Sequence, residues 1–332
     1  MNKRTLIFLL ASIFCFLIVF SLALIVGKYS VTIPDFFKAI FTNEEAYDTQ
    51  RSIILNLRLP RTIVAGLTGI GLSISGLLYQ EVFQNKLTSP DLLGVSSGAS
   101  VGAAVAIVLG LSSIFVSVFA FLLGVITVLL TIFVAKVFKN KSSFTLILAG
   151  IIVGGFMSAS LSVVKYFADP TTTLASITYW LMGSFENSTM EYVYILLPIV
   201  GLCCVLLLIL SWRINVVALG QEEAQTKGIN YTFYKFLIIG IATLLTASCV
   251  AFSGVVSWIG LVIPHIVRLI VGRDTRRSIP LCITFGGIFM IVVDILARSF
   301  TKSEMPLSAV TGILGTVIFV IILIIRRKEN AH

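Results

Sequence analysis

Charge is what this chain has least of. Only 12% of its 332 residues are Asp, Glu, Lys or Arg, against 58% hydrophobic, whereas a soluble domain carries roughly twice that charged fraction. A water-soluble enzyme and a disordered chain are thereby excluded. Metal-ligand spacing is also missing. The five cysteines (Cys15, Cys203, Cys204, Cys249, Cys282) stand in apolar runs, where they read as small apolar fillers and not as a disulfide framework or a metal site. No glycine-rich stretch ends in Gly-Lys-Ser/Thr, so the chain has no phosphate loop; 94–100 is not one. The net charge of +9 is scattered between apolar runs, which is how a membrane protein distributes it and not how a nucleic-acid patch looks.

What is present is apolar length. A bilayer core of about 30 Å needs about 20 apolar residues per helix. Runs of that kind fall at 5–26, 59–80, 92–110, 113–136, 143–164, 191–212, 235–253, 256–272, 278–297 and 306–326. They predict an all-α, polytopic membrane protein with ten transmembrane helices in one domain spanning 1–332. The first run follows Met1-Asn2-Lys3-Arg4 as in a signal peptide, but it is too long, and Gly27-Lys28-Tyr29 offers no small-x-small cleavage site. The stretch 170–185 is uncharged but rich in Thr and Ser, and as a helix reaches only about 24 Å. It is expected as a short non-spanning helix over 172–184. With both termini inside, 16 of the 24 Lys and Arg lie on the cytoplasmic side, as the positive-inside rule requires. An eleven-span arrangement with the N-terminus outside gives the same totals; Lys3, Arg4 and the shortness of 170–185 favour ten.

Asp294 is the acid clearly inside a span, with Arg298 one turn later on the same face. It reads as a local salt bridge or as part of a site. Ion-coupled carriers need several mid-membrane ionisable groups, so a self-powered carrier is the alternative and external energy the leading expectation. Small residues crowd 66–76, 94–100 and 150–162, suiting close helix packing or a wide path. The polar segment 221–227 between Gly220 and Gly228 is an ordinary turn or a docking helix. Pro264 and His265 sit in an apolar helix. Proline frees a carbonyl and kinks the helix, and the nearby histidine or Arg268 could satisfy that carbonyl.

These pieces occur in a recognisable order: Leu57-Arg58-Leu59-Pro60-Arg61, Gln84-Asn85-Lys86-Leu87, Leu93-Gly94-Val95-Ser96-Ser97-Gly98-Ala99, Leu148-Ala149-Gly150, Tyr179-Trp180-Leu181-Met182-Gly183, Leu219-Gly220-Gln221-Glu222-Glu223-Ala224, the 259–268 stretch around Pro264-His265, Asp294-Ile295-Leu296-Ala297-Arg298 and Glu304-Met305-Pro306. The set resembles the FecCD-type permease subunit of binding-protein-dependent ABC importers for iron chelates, haem and cobalamin. The resemblance implies ten transmembrane helices with inverted-repeat halves. It implies a cytoplasmic-membrane subunit of a prokaryote with no catalysis and no cofactor, translocating an iron-siderophore-type complex, or alternatively haem or cobalamin. It also implies a second permease subunit (identical or not), a cytoplasmic ATPase dimer, an extracytoplasmic solute-binding protein and surrounding membrane lipid. Arg58, Arg61 and Arg298, supported by Asp294, would dock acidic groups of the binding protein. Ala218, Leu219, Gly220, Gln221, Glu222, Glu223, Ala224 and Gly228 would form the coupling helix against the ATPase. Ser142 and Ser143 would stand at the cytoplasmic gate. The sequence departs from the family at Lys86, where proline is common, and at Ser308, where glycine is usual.

Overall fold

The computed structural model of the protein describes residues 3–42, 44–138, 143–301 and 303–329, with side chains to 325 in the last helix. Fourteen α-helices and no strand occur among the described residues: α1 (Lys3–Ile25), α2 (Ile33–Phe41), α3 (Asp48–Ser52), α4 (Leu59–Val82), α5 (Val95–Val108), α6 (Ser113–Val137), α7 (Ser143–Phe167), α8 (Thr173–Met182), α9 (Met190–Val217), α10 (Gln221–Thr226), α11 (Tyr231–Ser253), α12 (Ile259–Val271), α13 (Thr275–Ser299) and α14 (Leu307–Glu329). Eight helical stretches are long and apolar enough to cross a membrane, and two shorter apolar helices, α5 and α12, complete the set. Helices therefore stand at all ten stretches read from hydropathy, and α8 is the short helix expected at 172–184.

Residues 27–42 and 44–58 hold structure that hydropathy did not mark. Thr32 caps α2 by accepting the Asp35 N–H, and Pro34 sits in the first turn, where its missing donor costs nothing. The helix of α4 is approached through α3 and a π-turn over Ile53–Arg58. Pro60 cannot donate to the carbonyl four residues back, and the Leu59 N–H reaches instead to Ile54 O, the wider spacing of a π-turn.

α4 is the axis of the fold, buried along most of its length and packed against α11, α12 and α13. Its glycines permit this. A Cβ on Gly69 would lie 2.1 Å from Gly286 O, and one on Gly76 1.8 Å from Gly260 O, so backbones meet where side chains cannot fit. The small residues of α4 and α5 thus serve packing. On α7 they divide: a Cβ on Gly150 would meet the Leu92 carbonyl, while one on Gly155 would point into open space, and Ser158, Ala159 and Ser162 are exposed.

The two halves repeat a pattern of lengths. α4, α5, α6 and α7 have 24, 14, 25 and 25 residues; α11, α12, α13 and α14 have 23, 13, 25 and 23. The packing repeats too. α4 crosses onto α12 and α13 of the other half, and α11 onto α5 and α6. If each apolar helix crosses once, an offset of five, counting α9 between the halves, reverses the second half relative to the first.

Outward-facing side chains on α1, α7 and α9 are large and apolar, among them Ile7, Phe14, Ile151, Phe156, Leu202 and Ile209. Such faces are untenable in water and at home in lipid or against a partner helix.

Candidate functional site

One end of the bundle gathers the start of α4, the ends of α1 and α13, and residues 303–306. Arg61 is its centre. Its Nε donates to Asp294 Oδ1 at 2.8 Å, and Nη1 and Nη2 donate to the two carboxylate oxygens of Glu304 at 2.7 and 2.8 Å. This is the paired geometry a guanidinium fork favours. Burial pushes the Glu304 carboxyl up, but the hydrogen bonds and charge of Arg61 outweigh that and hold it below its ordinary range.

Arg58 and Arg298 do something the sequence did not announce. A helix leaves its last four carbonyls without intrahelical donors. At the end of α1, Leu22 O takes the Val26 N–H. Ala23 O takes Arg298 Nη2. Leu24 O and Ile25 O both take Arg58 Nη1, at 3.0 and 2.6 Å, and Tyr29 O takes Arg58 Nη2. Every orphan carbonyl is answered, and the guanidinium charges sit at the negative end of the helix dipole. α1 buries little else of itself, namely Thr5, Ser12 and Ala23.

All three arginines are buried, at 5%, 9% and 5% exposure. Free guanidinium groups therefore do not project from this end. The expected one-turn pair of Asp294 with Arg298 is the weaker contact, at 3.5 Å, against 2.7 Å from Asp294 to Arg61 across 233 positions of sequence. Glu304, quoted above as part of a motif and given no role, is the second acid of the cluster. Its position directly after the α13 exit was the available signal.

α8 lies at this same end. Asp169 Oδ1 receives the N–H and hydroxyl of both Thr171 and Thr172, an Asx-type turn that leads into the helix. Gly183 ends it at φ +75°, a conformation natural only to glycine, and its carbonyl receives the Leu307 N–H while Ser184 N–H reaches Ser253 O. A cavity of about 740 Å³ opens between α8, the α5–α6 turn, α9 and α11. Ser113, Ser117, Ser176, Asn187 and Tyr192 line it, with no charged side chain.

The other end carries the glycine-bounded helix α10. Ala224 is fully buried against Val216 and Ile229, while Gln221, Glu222, Glu223 and Gln225 face outward. Ala218 O accepts Gln84 Nε2 at 3.2 Å, Leu219 is exposed, and Gly220 and Gly228 adopt φ +109° and +69°. A polar helix is thus held by one alanine and offered to whatever lies beyond. Ser143 begins α7, and its Oγ accepts Lys235 Nζ from α11 at 3.1 Å. Ser142 lies outside the described residues.

Pro264 frees the carbonyl of Gly260. Neither His265 nor Arg268 takes it, contrary to the sequence reading: Gln80 Nε2 on α4 donates to it at 3.1 Å. Arg268 acts one step back. Its Nη1 donates to Gln80 Oε1, and its Nη2 to Glu81 Oε1 at 2.9 Å. The close approach of Gly76 to Gly260 brings Gln80, one turn further along α4, within reach. His265 is buried with its ring edge-on to Phe319 at 5.6 Å, a packing contact between α12 and α14.

The family model "FecCD transport family" matches residues 14–326. The chain belongs to that family. Among its FecCD relatives, the molybdate import system permease protein of Haemophilus influenzae is 35% identical over 89% of this chain and 88% of its own length. A permease protein of the iron chelatin transport system of Helicobacter pylori is 34% identical over 84% of each. An inward-facing structure of a metal-chelate type ABC transporter superposes with a TM-score of 0.86 at 34% identity, covering 95% of this chain and 98% of that one. The FecCD fold expected from the motifs is the fold observed.

Proposed function

We propose that this chain is the permease subunit of an ATP-driven, binding-protein-dependent importer that moves an iron-siderophore-type complex across the cytoplasmic membrane of a prokaryote. The observation that carries the reading is the near full-length likeness to the metal-chelate type ABC transporter. The Helicobacter pylori relative favours iron within that class. Haem and cobalamin are alternative cargoes, and the Haemophilus influenzae relative adds molybdate.

In this reading the arginine end faces outside, and α10 and both termini lie in the cytoplasm. Two permease subunits, identical or not, pair around a central path. The exposed small residues Gly155, Ser158 and Ala159 of α7 are suited to line it, and Ser142 and Ser143 stand at its cytoplasmic gate. A cytoplasmic ATPase dimer grips α10 together with Ala218, Leu219 and Gly220. Rigid attachment through Ala224 lets a push on the outward polar face reach α9 and α11.

The solute-binding protein docks on the arginine end. Because Arg58, Arg61 and Arg298 are hydrogen-bonded within the free chain, they support that face from beneath. An acidic group of the binding protein reaches Arg61 by displacing Glu304. Reconstitution with the ATPase and binding protein should give ATP-dependent uptake of a ferric siderophore. Gradient-driven uptake by the chain alone would overturn the proposal in favour of a secondary carrier.

A further inference from the structure

A cavity of about 490 Å³ opens at the α10 end, between the last turns of α9 and the α12–α13 connection. Its lining includes three cations, Lys227, Arg273 and Arg276, and two acids, Glu81 and Asp274. The acids are already engaged. Glu81 pairs with Arg268 at 2.9 Å, and Asp274 takes Asn215 Nδ2 at 2.7 Å, the Arg276 N–H at 3.1 Å and Arg277 Nε at 3.3 Å. The side chains of Lys227, Arg273 and Arg276 make no hydrogen bond or ion pair among the described residues, and all three are exposed. The cavity therefore carries three uncompensated positive charges.

Its rim is apolar on one side. Trp212 lines it at 45% exposure. Above Trp212, Ile209, Val205 and Leu202 are exposed at 66%, 55% and 62%. Their spacing of three, four and three places them in one stripe along α9. A tryptophan at the end of such a stripe marks the membrane–water interface. A basic cavity continuous with a lipid-facing stripe complements a molecule with an anionic head and a long apolar tail.

We infer that this cavity seats the phosphate headgroup of an anionic phospholipid, with Lys227, Arg273 and Arg276 around the phosphate and an acyl chain lying along Trp212, Ile209, Val205 and Leu202. The inference rests on the transmembrane reading of α9 and is independent of cargo; Ala218 and Leu219, proposed above as part of the ATPase grip, also line this cavity, so the test includes ATPase binding.

The test uses the full chain in a neutral detergent, with the thermal midpoint followed against added phosphatidylglycerol, phosphatidylcholine or inorganic phosphate. Phosphatidylglycerol should raise the midpoint saturably, and the other two should not. A basic residue near an anionic surface contributes about fivefold to binding. The Arg273→Gln/Arg276→Gln variant should therefore need at least roughly tenfold more phosphatidylglycerol, and Lys227→Gln a smaller excess. Lys136→Gln, an exposed cation that does not line the cavity, should leave the curve unchanged. Equal response to phosphatidylcholine, a response to phosphate alone, or an unshifted curve in the double variant would overturn the assignment. So would loss of ATPase binding in that variant with its lipid curve intact, because the cavity would then belong to the protein partner.

Discussion

At the Arg61 end of the bundle the guanidinium groups are consumed: three arginines meet two acids and the carbonyl terminus of α1. At the α10 end Arg268 is consumed in the same way, by Gln80 and Glu81, and Arg277 pairs with Asp274, but Lys227, Arg273 and Arg276 stand unpaired around them. Both ends are rich in arginine by sequence, yet only one offers guanidinium charge; at the Arg61 end Lys28 is an exposed cation. Cations in a membrane protein have two uses that composition does not separate, namely tying helix ends together from within and facing an anionic surface. Hydrogen-bond accounting separates them.

The sharpest way to break the comparison is to remove the centre of the consumed cluster. Arg61→Ala leaves Asp294, which is fully buried, without its closest cation, and stranding a buried charge costs about 3–5 kcal/mol. The expected result is a steep fall in thermal midpoint and in folded protein recovered from membranes. Adding Asp294→Asn should restore part of it. Arg58→Ala comes next. Two α1 carbonyls and Tyr29 O lose their donor, at about 1–3 kcal/mol for stranded polar groups, and limited proteolysis between α1 and α2 should accelerate before the core unfolds. If Arg58→Ala leaves α1 as protected as in the parent, the capping role fails and a free docking role regains ground.

At the other end, Gln80→Ala should cost about 1–2 kcal/mol by orphaning Gly260 O and one arm of Arg268. The decisive comparison is in the Pro264→Ala background, where residue 264 regains an N–H for that carbonyl. There the loss from Gln80→Ala should shrink. An equal loss in both backgrounds would mean that Gln80 matters only through Arg268.

Glu304 gives a pH test. Its carboxyl is held below the ordinary value of 4.5 by Arg61. A group depressed in the folded state contributes stability that is complete above the unfolded value and lost as pH falls through the folded one. Stability from this pair should therefore be flat near neutral pH and decline below about pH 4.5. Glu304→Gln should lower the neutral-pH midpoint modestly and remove that acid-side decline, so the two curves converge at low pH. The same variant should bind the solute-binding protein more tightly, since the competing carboxylate is gone. Unchanged docking would remove Glu304 from the proposed exchange.

How much of this was legible beforehand follows from the range of each interaction. Helix positions follow from local apolar length, and α4, α9 and α13 stand where their runs predicted. The motif order gave the family. What local reading lacked was every partner far away in sequence. Asp294 has Arg298 one turn away, so the sequence suggests that pair, while the stronger contact comes from Arg61 across 233 positions. The carbonyl freed by Pro264 has a histidine and an arginine beside it in sequence, yet only Gln80 lies at the point where Gly76 lets the backbones touch. The helix α2 was missed for a different reason: nine residues are too few for a hydropathy window, although Thr32 and Pro34 carry its start signal.

The smallest expected effect on stability is at α10. Glu222 and Glu223 are exposed, with no hydrogen bond or ion pair from either side chain among the described residues. Exposed substitutions of this kind stay within about 0.5 kcal/mol, so Glu222→Ala/Glu223→Ala should melt as the parent does. If α10 is the grip of the ATPase, the same variant should bind that subunit more weakly and transport less per ATP hydrolysed. Ala224→Asp should separate the two roles further. It forces a charge into the contact with Val216 and Ile229, loosens α10 from the bundle and should uncouple hydrolysis from uptake while leaving the Arg61 end protected. Normal coupling in both variants would return α10 to an ordinary turn and leave the free cations around the 490 Å³ cavity as the stronger functional candidate of that end.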